Sequence, residues 1–113
     1  MARSDAVRLR DIQVSIGAIR AHVEFRDVAG VPEGLVEDAV KYRLVEIGEA
    51  VGDLSDSTRS LSPTIPWTRV KGLRNFLTHE YHRVDTEVVW MIVDTYLDPL
   101  SDAVHELLAE LDF

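Results

Sequence analysis

Apolar residues recur along this chain at three- and four-residue spacings and nowhere alternate convincingly with period two, which commits the fold to helices. Ile12, Ile16, Ile19 and Val23 follow Ser4 or Asp5, either of which can cap a first helix, and the pattern runs out near Asp27. Ala29-Gly30-Val31-Pro32 is a connector, with Pro32 placed where a second helix starts ahead of Leu35, Val36, Ala39, Val40, Leu44, Ile47 and Val51. Gly17 and Gly48 fall inside these helices, where glycine costs about 1 kcal/mol relative to alanine. A close helix crossing and plain tolerance both account for them.

Residues 55–66, rich in Ser, Thr, Pro and Asp, form the clearest loop, with room for a short helical turn. Pro66 opens a third helix through Trp67, Val70, Leu73, Phe76 and Leu77. Asp85 can cap a last helix from Thr86 that carries Val88, Val89, Met91, Ile92, Thr95 and Tyr96. Pro99 is expected to kink or interrupt it before Val104, Leu107, Leu108 and Leu111. Trp67, Trp90 and Tyr96 sit at spacings that suit core packing. The expectation is all-α: an antiparallel bundle of four to five helices, forming one domain over residues 1–113.

A helical domain of 113 residues leaves apolar faces uncovered, which favours pairing with another chain. The absence of cysteine excludes disulfides, thiolate metal sites and a cysteine nucleophile, and suits a cytoplasmic protein. Met1 to Arg10 is charged rather than signal-like, and the longest apolar run, Val88 to Val93, is too short to span a bilayer, so no membrane association is expected.

The net charge of −8 argues at first against a partner as acidic as RNA. Its distribution reverses that impression. Arg59, Arg69, Lys71, Arg74 and Arg83 face a single acid, Glu80, so residues 59–83 carry +4 in an otherwise acidic chain. Such a stretch can dock a short piece of nucleic acid without holding duplexes indiscriminately; an ordinary solvated helix face is the plainer reading of the same residues.

The chemistry concentrates in Leu73 to Arg83. At about 100° per residue, Arg74, Asn75, Thr78, His79, Tyr81 and His82 share one arc, opposite Leu73, Phe76 and Leu77. Glu80 breaks the apolar side, which places the end or unwinding of the helix near His79 and lets His79 and Tyr81 turn back toward Arg74. A histidine titrates near neutral pH and moves protons; an arginine binds a phosphate in two-pronged fashion and stabilises the charge that builds as a ribose 2′-OH attacks it. RNA brings its own nucleophile, so no metal is needed. Asn75 can orient the histidine or bind a phosphate oxygen, Thr78 can do the latter, and His82 can assist. A surface salt-bridge helix accounts for the same spacing. A zinc-protease reading fails, because His79 and His82 stand three apart where four are required. His22 and His105 stand alone on other helices and read as structural or exposed.

Arg74-Asn75-Phe76-Leu77-Thr78-His79-Glu80-Tyr81 resembles the R-x-x-x-x-H-x-Y signature of the HEPN superfamily, in its HepT-like branch. Tyr42 to Ala50 is similar to the helix-two pattern of that branch, Ile65-Pro66-Trp67 with Val70, Gly72 and Leu73 to its entry into the motif helix, and Val84-Asp85 with Val88-Val89-Trp90 to the start of its final helix. Where many relatives have glycine between the His and the Tyr, this chain has Glu80. The resemblance spans residues 8–110. It implies the HEPN fold and a metal-independent endoribonuclease toxin, without cofactor, acting on RNA such as tRNA or mRNA. The active form implied is a symmetric homodimer with Arg74 and His79 of both subunits lining one cleft. It further implies a toxin-antitoxin pair, type VII-like, in which a minimal nucleotidyltransferase (MntA-like) antitoxin silences the toxin by transferring AMP to Tyr81. The rival is a HEPN protein that binds nucleotide or RNA, or regulates a partner, without cleaving.

Overall fold

In the computed structural model, residues 2–79 and 86–111 are described, with side chains from Asp5 onward, and among them the chain forms five helices and no strand. These are α1 (Ala2–Val23), α2 (Glu33–Gly52), α3 (Asp56–Ser60), α4 (Trp67–His79) and α5 (Thr86–Leu111). The all-α bundle is the one the periodicity predicts.

The centre of the arrangement is α2, which packs against α1, α4 and α5. Three neighbours require a wide apolar surface, and Val36, Val40, Leu44, Ile47, Ala50 and Val51 supply it. Leu9, Ile12, Ile16 and Ile19 of α1 and Val89, Val104 and Leu107 of α5 close the core, each almost fully buried. Each such residue contributes about 1.5–3 kcal/mol relative to exposure. In contrast, among the described helices α4 packs closely against α2 alone. A groove of about 260 Å³ lined by Leu44, Val70, Leu73, Ile92 and Leu97 is left between α4 and α5.

Several sequence expectations are corrected by the packing. Regular helix α1 stops at Val23, and its exit passes through Asp27 and Gly30, both at positive φ (63° and 85°). Asp5 does not cap α1; it lies inside that helix, which begins at Ala2, and is buried. Its carboxylate accepts hydrogen bonds from the Ser55 amide (3.0 Å), the Ser55 hydroxyl (2.5 Å) and the Thr58 hydroxyl (2.5 Å). Ser55 in turn caps α3, the helical turn allowed for in the loop, by accepting from the Thr58 amide. The loop is tied to the next helix by the Trp67 indole, which donates to the carbonyls of Arg59 (2.9 Å) and Ser62 (3.0 Å).

Pro99 does not interrupt α5, which runs unbroken past it. Pro99 and Thr95 are both exposed, so the Thr95 carbonyl that proline cannot serve lies on the side of the helix open to water. Trp67 and Trp90 pack as expected, but Tyr96 is exposed, as are Leu35, Phe76 and Met91. Phe76 and Tyr96 belong to faces of α4 and α5 that no described element covers. His22 is half-buried and His105 exposed. The expected Asp85 cap lies outside the described residues.

The two interior glycines part company. A Cβ on Gly48 would come within 2.9 Å of the Arg74 amide nitrogen and 3.2 Å of the Val70 carbonyl oxygen, whereas one on Gly17 would meet nothing within 4 Å. Gly48 is therefore where the backbones of α2 and α4 touch, and Gly17 is merely tolerated. We predict opposite signs in thermal melts: Gly48→Ala destabilises by about 1–3 kcal/mol through overpacking, while Gly17→Ala stabilises by up to about 1 kcal/mol through helix propensity. Equal shifts in Tm would contradict the crossing.

Burial pushes the Asp5 carboxyl pKa up, but the hydrogen bonds from Ser55 and Thr58 outweigh it and leave the group below its ordinary value. A pKa lower in the folded than in the unfolded chain stabilises above the unfolded value, about 3.9, and the contribution is lost as pH falls through the folded one. Asp5→Asn is expected to cost about 2–3 kcal/mol at neutral pH. In urea titrations its deficit against wild type should shrink once the pH drops below about 4. A deficit constant down to the lowest pH would show that charge has no part in it.

Candidate active site

The polar face of α4 is built by the same periodicity that buries Leu77 and half-buries Val70 and Leu73 against α2. Arg69, Lys71, Arg74, Asn75, Thr78 and His79 are all exposed, and the helix contains no acidic residue. Lys71 and Arg74 line one groove with Asn75, whereas Arg69 stands on the other side of the helix, beside Met91 and Tyr96.

Of the residues singled out in the sequence, Arg74, Asn75, Thr78 and His79 lie on this face; Tyr81 and His82, together with the break at Glu80, lie outside the described residues. Arg74 and His79 are five positions apart, about 7.5 Å of rise along the axis. The Asn75 side chain faces Arg74, its Oδ1 3.5 Å from Nη1. The Thr78 hydroxyl donates to the Arg74 carbonyl at 2.6 Å, so its proton is committed to the backbone and only its lone pairs face outward. That geometry leaves Thr78 poorly placed to donate to a phosphate oxygen.

Spacing along the chain does not disclose the partner of Arg74. Its Nε donates to Glu49 Oε1 at 2.8 Å across the α2–α4 crossing. Glu49 stands in the helix-two stretch that carries the family resemblance, but only the register between two helices, fixed at neighbouring Gly48, brings it to Arg74. Beyond this pair an open groove of about 680 Å³ runs between α2 and α4, past Gly52, Thr68, Lys71 and Gly72. The aliphatic stem of Lys71 lies over Gly52, its Cε 3.6 Å from where a Cβ would be. Two turns toward the amino end of α2, the Tyr42 hydroxyl bonds to Glu46, which raises the phenol pKa above its ordinary value. A smaller groove between Tyr42, Val45, Leu77 and Thr78 lies on that side.

Among the described residues no cluster of three or more His, Asp or Glu could hold a metal ion. The chemistry on offer is that of a permanent cation with its terminal nitrogens accessible and a histidine one and a half turns away on the same face. Both suit a phosphodiester better than a carbonyl or a redox centre.

Comparison with known proteins agrees with that chemistry. The family model described as "Ribonuclease HepT-like" matches residues 9–107. A protein of Thermococcus cleftensis named "Probable ribonuclease HepT" is 28% identical over 111 residues, covering 95% of this chain and 98% of its own length. A "Putative RNase" of Caldanaerobacter subterraneus subsp. tengcongensis is 33% identical over 81 residues, 67% of this chain and 72% of that relative. Another "Putative RNase", from Methanocaldococcus jannaschii, is 31% identical over 75 residues, 63% of this chain and 69% of that relative. No solved structure matches significantly. With an all-α bundle, the Arg74 to His79 face and a family match over nearly its whole length, the chain belongs to the HepT-like ribonuclease family.

Proposed function

We propose that this protein is the toxin of a toxin-antitoxin pair and a metal-independent endoribonuclease whose chemistry is carried by Arg74 and His79. The observation that carries the reading is the exposed pair on an acid-free helix, within a family described as ribonucleases. Arg74 binds the non-bridging oxygens of the scissile phosphate through its terminal nitrogens. His79 takes the proton of the ribose 2′-OH as the 2′-oxygen attacks phosphorus. The bond from phosphorus to the 5′-oxygen breaks, and a second imidazolium protonates that leaving oxygen. The products are a 2′,3′-cyclic phosphate and a free 5′-OH, and no cofactor takes part.

One histidine cannot readily serve as base and acid in the same step, which favours a homodimer supplying two. The uncovered apolar surface beside the site supports it: Phe76 of α4 and Met91 and Tyr96 of α5 are exposed around the groove that Val70, Leu73 and Ile92 line. In such a dimer two acid-free α4 faces double the positive charge around one RNA strand, tRNA or mRNA. Asn75 contributes a further polar contact and His82 a further phosphate contact. Control falls to Tyr81. A cognate nucleotidyltransferase antitoxin forms a bond from the tyrosine oxygen to the α-phosphorus of ATP and releases pyrophosphate, and the attached AMP places bulk and negative charge beside Arg74. The protein works in the cytoplasm; no described helix is long and apolar enough to cross a membrane.

Expression of the chain alone should arrest bacterial growth, and Arg74→Ala and His79→Ala should each relieve the arrest, with RNA cleavage reduced by at least about 100-fold. Equal growth of all three would contradict the nuclease and favour a HEPN protein that only binds. Co-expression with the neighbouring nucleotidyltransferase should add adenylyl mass to the wild type and not to Tyr81→Phe; undiminished modification of that variant would remove Tyr81 from the account.

A further inference from the structure

We propose that Glu49 is the positioning residue of Arg74, a role that rests on the ribonuclease reading and adds to it a member from a second helix. Arginine is long and flexible, and on an exposed helix face its guanidinium sweeps a wide volume unless something fixes it. Here the fixing group is Glu49, whose Oε1 receives the Nε–H at 2.8 Å. That proton is the one nearest the side-chain stem. Using it holds the plane of the guanidinium while Nη2 stays open to a phosphate and Nη1, which donates to Asn75 Oδ1 at 3.5 Å, keeps its second N–H.

The placement is built into the crossing of the two helices. Gly48, the residue before Glu49, lets the Arg74 amide nitrogen, the Val70 carbonyl and the Lys71 carbonyl come so close that no Cβ would fit. Two successive residues of α2 thus address Arg74, Gly48 its backbone and Glu49 its side chain. Both side chains of the pair are about half exposed, 50% for Arg74 and 54% for Glu49, so the bond adds little to stability. What it supplies is direction. It also has a cost: a carboxylate beside the phosphate site weakens ground-state binding of RNA, so that orientation for the reaction is bought with affinity.

This pairing of effects separates positioning from an ordinary surface salt bridge. Steady-state cleavage of RNA by wild type, Glu49→Ala and Glu49→Gln is compared with binding of an all-2′-deoxy oligonucleotide of the same sequence, which lacks the nucleophile and cannot be cut. Glu49→Ala should lose roughly 10- to 100-fold in kcat while binding the oligonucleotide about threefold tighter. Glu49→Gln, which keeps the acceptor oxygen, should regain most of the kcat. In the wild-type protein the Arg74 Nε–H should exchange with solvent more slowly than in Glu49→Ala, as read by NMR. A kcat for Glu49→Ala within about twofold of wild type, equal losses in the two variants, or exchange at Arg74 as fast in the wild type as in Glu49→Ala would each overturn the proposal while leaving an active wild type as a ribonuclease. A wild type that leaves RNA intact would overturn the ribonuclease reading and this proposal with it.

Discussion

Two helices can bring their backbones into contact only where a side chain is missing, and the candidate site depends on one such place. At Gly48 the backbone of α4 approaches α2 until the Arg74 amide nitrogen is 2.9 Å from where a Cβ would stand. Everything the site offers follows from that contact. It sets the register in which Leu77 enters the core and Arg74, Asn75, Thr78 and His79 face outward. The same contact puts Glu49 within hydrogen-bonding reach of Arg74. Since α4 packs closely against α2 alone among the described helices, an error in the crossing would be transmitted directly to the site.

Charge is organised around the same helix. The chain carries −8 overall, yet α4 has no acid, and Arg74 of α4 pairs with Glu49 of α2. An acidic body carrying an acid-free helix would disfavour indiscriminate binding of nucleic acid while leaving Lys71 and Arg74 together at one groove. The uncovered apolar strip of Phe76, Met91 and Tyr96 lies on and beside that helix, so a second copy seated there would bring two such helices together.

Much of the fold was legible because a buried helix face writes itself at three- and four-residue intervals. Ile12, Ile16 and Ile19, and Val40, Leu44 and Ile47, are buried as their spacing demands. Tyr96 and Phe76 fit the same pattern and are exposed, since periodicity says which side of a helix is apolar and not whether this chain alone covers it. Asp5 has the residue type of a cap, but its use was decided by Ser55 and Thr58, fifty and more positions away. The interruption allowed for at Pro99 does not occur, because a proline on an exposed face can leave its carbonyl partner to water. In the site, the face shared by Arg74, Asn75, Thr78 and His79 could be drawn from helical geometry, and so could the bond of Thr78 to the carbonyl four residues back, whereas the hold of Glu49 on Arg74 arises from a contact between helices that spacing along one helix does not contain.

The central claim is that a fixed arginine and a histidine on α4 cleave RNA through its own 2′-OH. Its most direct test is incubation of the purified protein with total RNA in the presence of EDTA, followed by mapping of the new ends. The account predicts cleavage undiminished by the chelator, with 2′,3′-cyclic phosphate and 5′-OH termini. Cleavage that requires an added divalent cation, or that leaves 5′-phosphate and 3′-OH ends, would contradict it.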